Sequence, residues 1–265
     1  MKNLRELFDL YSVEGDVGVE VEVESKGNEL FRPVDHYWRI EGDGSLRGNA
    51  AEYVLMQPCK INEVKDRLDY LSNSIKESGA KIDYSFRAGV HIHVNVQELN
   101  IKQMITFASV YFILEECLVD WCGEDRVGNH FCLRACDAEY VIDFVSNVVN
   151  SGFYDDFMRD EVRYASLNFT AIPKYGSLEF RALATEEDFS RIEKWAKILH
   201  HIKMKSLEYE IPQDILYDFS VQGPEGWARS LLGDYFQEIE NVGGVEQKLI
   251  NGMRLAQDLI YQSGV

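Results

Sequence analysis

The chain has 265 residues, 46% hydrophobic and 27% charged, enough for a full core in one large domain or one domain with an appendage. It sets 45 acidic against 27 basic side chains, a formal charge of -18. That excess repels nucleic-acid backbones and anionic membranes as main partners and suits a protein that holds cations, although most of the acids need do no more than solvate the surface.

The first eleven residues, MKNLRELFDLY, lack the apolar core of a signal peptide, and residues 2–12 read as a short amphipathic helix with Leu4, Leu7, Phe8 and Tyr11 at helical spacing. No run approaches membrane-spanning length. DVGVEVEVES, residues 16–25, alternates as a strand does, with Val19, Val21 and Val23 on one face and Glu20, Glu22 and Glu24 on the other. Three carboxylates in a row repel one another unless water or a cation lies between them, so this strand is either a solvated edge or a comb for divalent metal. Residues 26–40 form an irregular polar and aromatic segment, residues 42–45 a turn, and residues 51–57 a strand carrying Glu52. Residues 61–78 form a helix with Val64, Leu68, Leu71 and Ile75 on its buried stripe and Gly79 as its stop, and residues 81–86 a further short strand.

The next strand, RAGVHIHVNVQ over residues 87–97, is unusual. His91, His93 and Asn95 share one face while Val90, Ile92, Val94 and Val96 share the other. Taken alone, it could be an ordinary antiparallel strand whose wet face carries two histidines. Residues 101–121 form a strongly apolar helix expected to pack across the sheet, and residues 124–136 a loop containing Arg126, Asn129 and His130. Residues 138–149 are helical. Residues 163–172 and 176–183 read as two hairpin strands joined by PKYG, the second turning Glu179 and Arg181 away from Leu178 and Phe180. Helices follow over residues 188–209, 225–240 and 245–261, with a hinge at 222–226. Five irregularly spaced cysteines fit a reduced, cytoplasmic protein, and the spacings of Cys117, Cys122, His130, Cys132 and Cys136 match no compact zinc pattern.

If these strands share one sheet, Glu20, Glu22, Glu52, His91, His93, Glu179 and Arg181 converge on one concave surface. Oxygen-rich ligands with an imidazole suit Mg²⁺ or Mn²⁺, and an arginine beside them suits phosphoryl transfer. There is no glycine loop of the nucleotide-triphosphatase or dinucleotide kind.

GVEVE at 18–22, GDGSL and AEYVLMQP, GVHIHVN at 89–95, and RYASLN followed by SLEFR occur in an order that resembles the carboxylate–amine ligase superfamily. That superfamily contains glutamine synthetase and glutamate–cysteine ligase, and the likeness is to its amidoligase branch over residues 16–188. The resemblance implies an α+β fold, a mainly antiparallel curved sheet of the glutamine synthetase catalytic-domain type with helices on its outer face. Residues 1–188 would be the catalytic core and residues 189–265 a helical region packed on it as part of one domain, a candidate for a substrate-specific cover. It implies ATP and Mg²⁺ (or Mn²⁺) as cofactors, with small-molecule or peptide acids and amines as substrates. Glu20, Glu22, Glu52, His91 and Glu179 would be metal ligands, and His93 would lie near the ATP phosphates. Arg181 and Arg163 would bind phosphate, Asp43 and Ser45 would lie on the amine side, and Asn95 and Asn168 would face substrate. Arg126 and Asn129 would belong to a closing loop, Arg126 reaching the nucleotide. The chain is shorter than glutamine synthetase and shows no counterpart of its separate N-terminal domain, so a ring assembly is not implied. Two other functions use the same residues: a Zn²⁺ or Mn²⁺ hydrolase, and a non-enzymatic derivative of the fold.

Overall fold

A computed structural model describes residues 2–27, 30, 32, 37–138, 140–159 and 162–265. The chain is α+β, built on a seven-stranded, antiparallel sheet. Its strands are β1 (Val17–Ser25), β2 (Trp38–Glu41), β3 (Asn49–Leu55), β4 (Ile82–Asp83), β5 (Gly89–Asn95), β6 (Leu167–Asn168) and β7 (Ser177–Ala184). They run in the order β2-β3-β1-β5-β7-β6, with β4 pairing on β1. Nine α-helices are described: α1 (Leu4–Leu7), α2 (Val64–Glu77), α3 (Ile101–Cys122), α4 (Tyr140–Ser151), α5 (Ile172–Tyr175), α6 (Ser190–Ser206), α7 (Gln213–Gln222), α8 (Pro224–Leu232) and α9 (Val245–Ser263).

Alternation decides which face of the sheet is dry. Val19, Val21, Val23, Tyr53, Val90, Ile92, Val94, Leu178 and Phe180 are all buried on one side. On that side α3 crosses the sheet, with Phe107 and Tyr111 against Phe180 at ring-centroid distances of 5.7 and 4.8 Å. Asn100 starts α3 as its N-cap, its side chain accepting from the Gln103 backbone while the Gln103 side chain answers its own backbone N–H. α9 then packs along α3, and α6 packs on α2, α3 and β5. Although α3 is apolar almost throughout, none of the described helices is long and apolar enough to cross a membrane.

The structure revises several expected elements. The N-terminal helix is a single turn, Leu4–Leu7, ended where Asp9 takes φ +52°. The segment 26–40 lies partly outside the described residues, but its end is the strand β2, in which Trp38 is buried and Arg39 and Glu41 face the other way. The strand expected over 81–86 shrinks to β4, and that over 163–172 to β6, because both are edge segments with few ladder partners. PKYG is not a hairpin turn but the end of the short helix α5. Gly176, at φ +69°, closes it by turning the chain into β7. The helix expected over 225–240 breaks at Gly233, and α7 is an additional helix, joined to α8 through Gly223, within the segment expected as a hinge. The C-terminal helices pack on the dry side, α6 beside α3 against the sheet and α9 along α3.

Candidate active site

The wet face of the central strands gathers the acids and imidazoles. Cross-strand pairing sets Glu20 opposite His91, Glu22 opposite Glu52, and His93 opposite Glu179, so these side chains meet without any loop being needed to place them. His91 Nδ1 lies 3.0 Å from Glu20 Oε2 and 3.4 Å from Glu179 Oε1, and its Nε2 lies 3.7 Å from Glu22 Oε1. His93 Nε2 lies 3.2 Å from the other oxygen of Glu20, while its Nδ1 lies 3.0 Å from Ser177 Oγ. Arg181 pairs with Glu179 and stands 3.5 Å from His91 Nδ1.

Arg181 owes its position to a bulge. The β5–β7 register shifts between Val90 and Ile92, so that His91 faces two residues of β7, Arg181 and Ala182, instead of one. Both carbonyls at the bulge are held by one side chain. Arg126 donates from Nε to Ala182 O and from Nη2 to Arg181 O, each at 2.9 Å.

Three overlapping groups of ligand atoms lie within 4.8 Å of one another: Glu20, His93 and Glu179; Glu20, Glu52 and His91; Glu22, Asp43 and Glu52. Burial would raise the Glu20 carboxyl, but the charge on His93 and hydrogen bonds from both imidazoles hold it well below the ordinary range. Glu179 is likewise lowered: burial is outweighed by Arg181, His93 and His91. His93 is raised, burial being overcome by Glu20 and Glu179. At the other end of the cluster the balance reverses. Burial raises Glu22 although Gly89 N–H donates to it at 2.7 Å. Burial, and then the charges of Glu20, Glu22, Asp43 and Glu41, push Glu52 up to about 8. Carboxylates crowded into mutual repulsion, with imidazoles at their margin, are the donor set that a hard divalent cation relieves.

Two cavities flank this cluster. One, of 180 Å³, is walled by Val13, Val54, Leu55, Met56 and Pro58 and reaches Glu20, His93 and Asn95. The other, of 470 Å³, is lined by Glu22, Asp43, Ser45 and His91 on one side and by Arg87, Arg126, Arg163 and Arg181 on the other. Each expected site residue can now be placed. Glu20, Glu22, Glu52, His91, His93, Glu179 and Arg181 come together. Asp43 and Ser45 join them as a turn in which Asp43 accepts from Ser45 N–H. Arg163 is exposed at the mouth of the larger cavity, its guanidinium 4.8 Å from the Tyr164 ring. Asn168 donates to Glu179 Oε2 at 2.6 Å and accepts from Thr170 N, so it orients a carboxylate. Asn95 borders the smaller cavity, but its amide bonds Gly15 O and Gln97 N. The loop over 124–136 is tied down: Arg126 is 1% exposed, and Asn129 bonds Phe86 O and Phe131 N. Reasoning from sequence passed over Arg87, which directly precedes the histidine strand in the larger cavity, and Arg39 and Glu41 of β2. The alternation of Trp38–Glu41 was the available signal for the last two.

The family model described as "Putative amidoligase enzyme" matches residues 11–202. That span contains every strand of the sheet and every residue of the acid and imidazole cluster. No curated protein matches the chain in sequence.

Proposed function

The chain belongs to the amidoligase family, and from that membership and the geometry of the wet face we propose an ATP- and Mg²⁺-dependent ligase that joins a carboxylic acid to an amine. The observation that carries the reading is the sandwich: three overlapping clusters of carboxylate and imidazole ligands lie between an apolar-walled cavity and an arginine-lined one. On this reading the sheet has the curvature of the glutamine synthetase catalytic domain, and the helices behind it are a scaffold.

Glu20, Glu22, Glu52, His91 and Glu179 would hold the divalent cations, with His93 beside them. When bound, the cations would neutralise the triphosphate and the charge developing on the phosphoryl group in flight. The smaller cavity would take the nucleotide base, with Val54, Leu55, Met56 and Pro58 offering aliphatic contact and His93 also on its lining. Arg181 reaches the larger cavity beside Glu179, where a guanidinium stabilises the equatorial oxygens of the transferred group. The acid's carboxylate oxygen attacks the γ-phosphorus and ADP leaves; the uncharged amine then attacks the carbonyl carbon of the acyl phosphate, inorganic phosphate leaves as the C–O bond breaks, and the nitrogen gives up one proton. Asp43 lies on the same cavity wall and is held below its ordinary value because hydrogen bonds from Ser45 outweigh burial. As a carboxylate it suits a cationic amine and can take its proton.

Titrating the protein with Mg-ATP in a calorimeter separates this from metal-assisted hydrolysis, which needs no nucleotide. Glu20→Gln or Glu179→Gln should reduce Mg²⁺-dependent ADP formation by at least about a hundredfold while circular dichroism stays unchanged. Turnover within a few-fold of wild type in either variant removes the proposed cation role.

A further inference from the structure

The larger cavity carries an excess of positive charge that the transferred phosphoryl group does not use. In a chain of net charge -18, four arginines against Glu22 and Asp43 make this wall basic. Arg181 is paired with Glu179, and Arg126 is fixed by two carbonyls, with its buried Nη1 left without a partner among the described residues. Arg87 and Arg163 are different. Neither guanidinium has an ion-pair or hydrogen-bond partner among the described residues; each rests only on aromatic rings.

The rings form a ladder. The Arg87 guanidinium lies 4.8 Å from the Phe86 ring and 5.9 Å from the Phe131 ring. Phe131 meets Tyr164 edge to face with centroids 6.2 Å apart, and the Arg163 guanidinium lies 4.8 Å from Tyr164. The ladder is anchored at the reacting end, because Arg181 Nε donates to Phe131 O at 3.4 Å. Stacking holds a guanidinium flat while leaving its N–H edge free, which is how arginines are presented to a planar anion. Arg87 is half-buried and Arg163 exposed, so both edges lie where the cavity opens outward from Arg181.

We infer that Arg87 and Arg163 bind a second anionic group of the acid substrate, one remote from the carboxyl that is activated beside Arg181. The acid is then a dianion rather than a simple monocarboxylate, and Phe131 and Tyr164 flank the short chain between its two charges. This rests on the ligase reading for which end reacts, but binding of the second anion can be measured without turnover.

The test is calorimetric titration of the full chain, in the presence of Mg²⁺, with butyrate, succinate, glutarate and 3-phosphonopropionate. At least one of the three dianions should bind ten or more times more tightly than butyrate. Arg87→Gln and Arg163→Gln should each remove most of that advantage, leave butyrate where it was, and in the case of Arg87→Gln leave Mg-ATP affinity unchanged. Preference for the phosphonate over both dicarboxylates would identify the second group as phosphate-like; the reverse would identify it as a carboxylate. Equal binding of all four acids by the wild-type chain, or a dianion preference that survives both substitutions, overturns the inference. Failure of the ligase reading looks different: no Mg-ATP binding and no ADP from any acid, whatever the dianion titrations show.

Discussion

Arg126 holds the backbone of the site with two of its nitrogens, while its buried Nη1 has no partner among the described residues. Its guanidinium is buried with two of its nitrogens on the carbonyls of Arg181 and Ala182, the two residues that the bulge sets against His91. Gly89 makes room for it: a Cβ there would stand 3.1 Å from Arg126 Nη2 and 3.5 Å from Glu22 Oε2, between the guanidinium and the ligand cluster. Lysine at 126 keeps the charge but offers a point donor where a planar fork spans two acceptors. Arg126→Lys should therefore let the bulge relax and lower kcat about tenfold or more, with Mg-ATP affinity retained within a few-fold. Steady-state kinetics alongside calorimetry checks this. A loss of nucleotide affinity as large as the loss in kcat would mean that Arg126 contacts the nucleotide, as expected of a closing loop. Asn168 acts in the same indirect way, holding Glu179 by a 2.6 Å hydrogen bond.

Among the elements, what could be read from the sequence followed the period of two. Glu20, Glu22, His91, His93, Glu179 and Arg181 stand out because alternation alone assigns a side chain to a face, and an antiparallel sheet then makes neighbours of residues far apart in sequence. The bulge in β7 leaves no mark on that pattern, since Glu179 and Arg181 alternate as they would in a regular strand. Edge strands β4 and β6 were overextended for a related reason: alternation reports a face, whereas strand length depends on partners. Helices on the outer face of the sheet were foreseen, but the C-terminal ones were expected to cover the substrate, because an amphipathic stripe does not say which surface it meets. Gly252 of α9 carries that missing information. A Cβ there would lie 2.4 Å from Phe112 O and 2.6 Å from Ile113 O, so α9 lies directly on the α3 backbone. No side chain rotation relieves a clash with main chain. Gly252→Ala should lower stability by about 1–3 kcal/mol or more, read as a fall in melting temperature, despite alanine's better helix propensity. An unchanged or higher melting temperature would show that α9 does not pack against α3 in this way.

At the scale of the whole molecule, Glu22, Glu52 and Glu115 are carboxyls raised by burial and give stability a pH dependence, and only Glu115 lies outside the proposed cation ligands. Glu115 on α3 is buried and is pushed up to about 7 by desolvation, although Ser166 Oγ and Ala135 N both donate to it at 2.7 Å. Such a group keeps its proton in the folded chain after the unfolded chain has lost it. Folding is unaffected below the unfolded value of 4.5, loses stability as pH climbs from there to about 7, and stays level above. The size of that loss is up to about 3 kcal/mol at ~1.4 kcal/mol per pH unit. Glu52 adds a second decline reaching to about 8, from burial and from its acidic neighbours. A divalent cation at the cluster offsets the second decline, because it binds the ionised carboxylates and stabilises the folded chain by mass action. It leaves the first untouched, because Glu115 lies behind the sheet. Melting temperature measured from pH 4.5 to 8.5 without divalent cations should therefore fall, and Mg²⁺ or Mn²⁺ should restore more of it at pH 8.5 than at pH 6. Glu115→Gln should flatten the limb below pH 7 and leave the cation response intact, since an amide can still accept from Ala135 N and donate to Ser166. A cation response as large at pH 5 as at pH 8.5 would place the ion on carboxylates that are already ionised, and so away from Glu52.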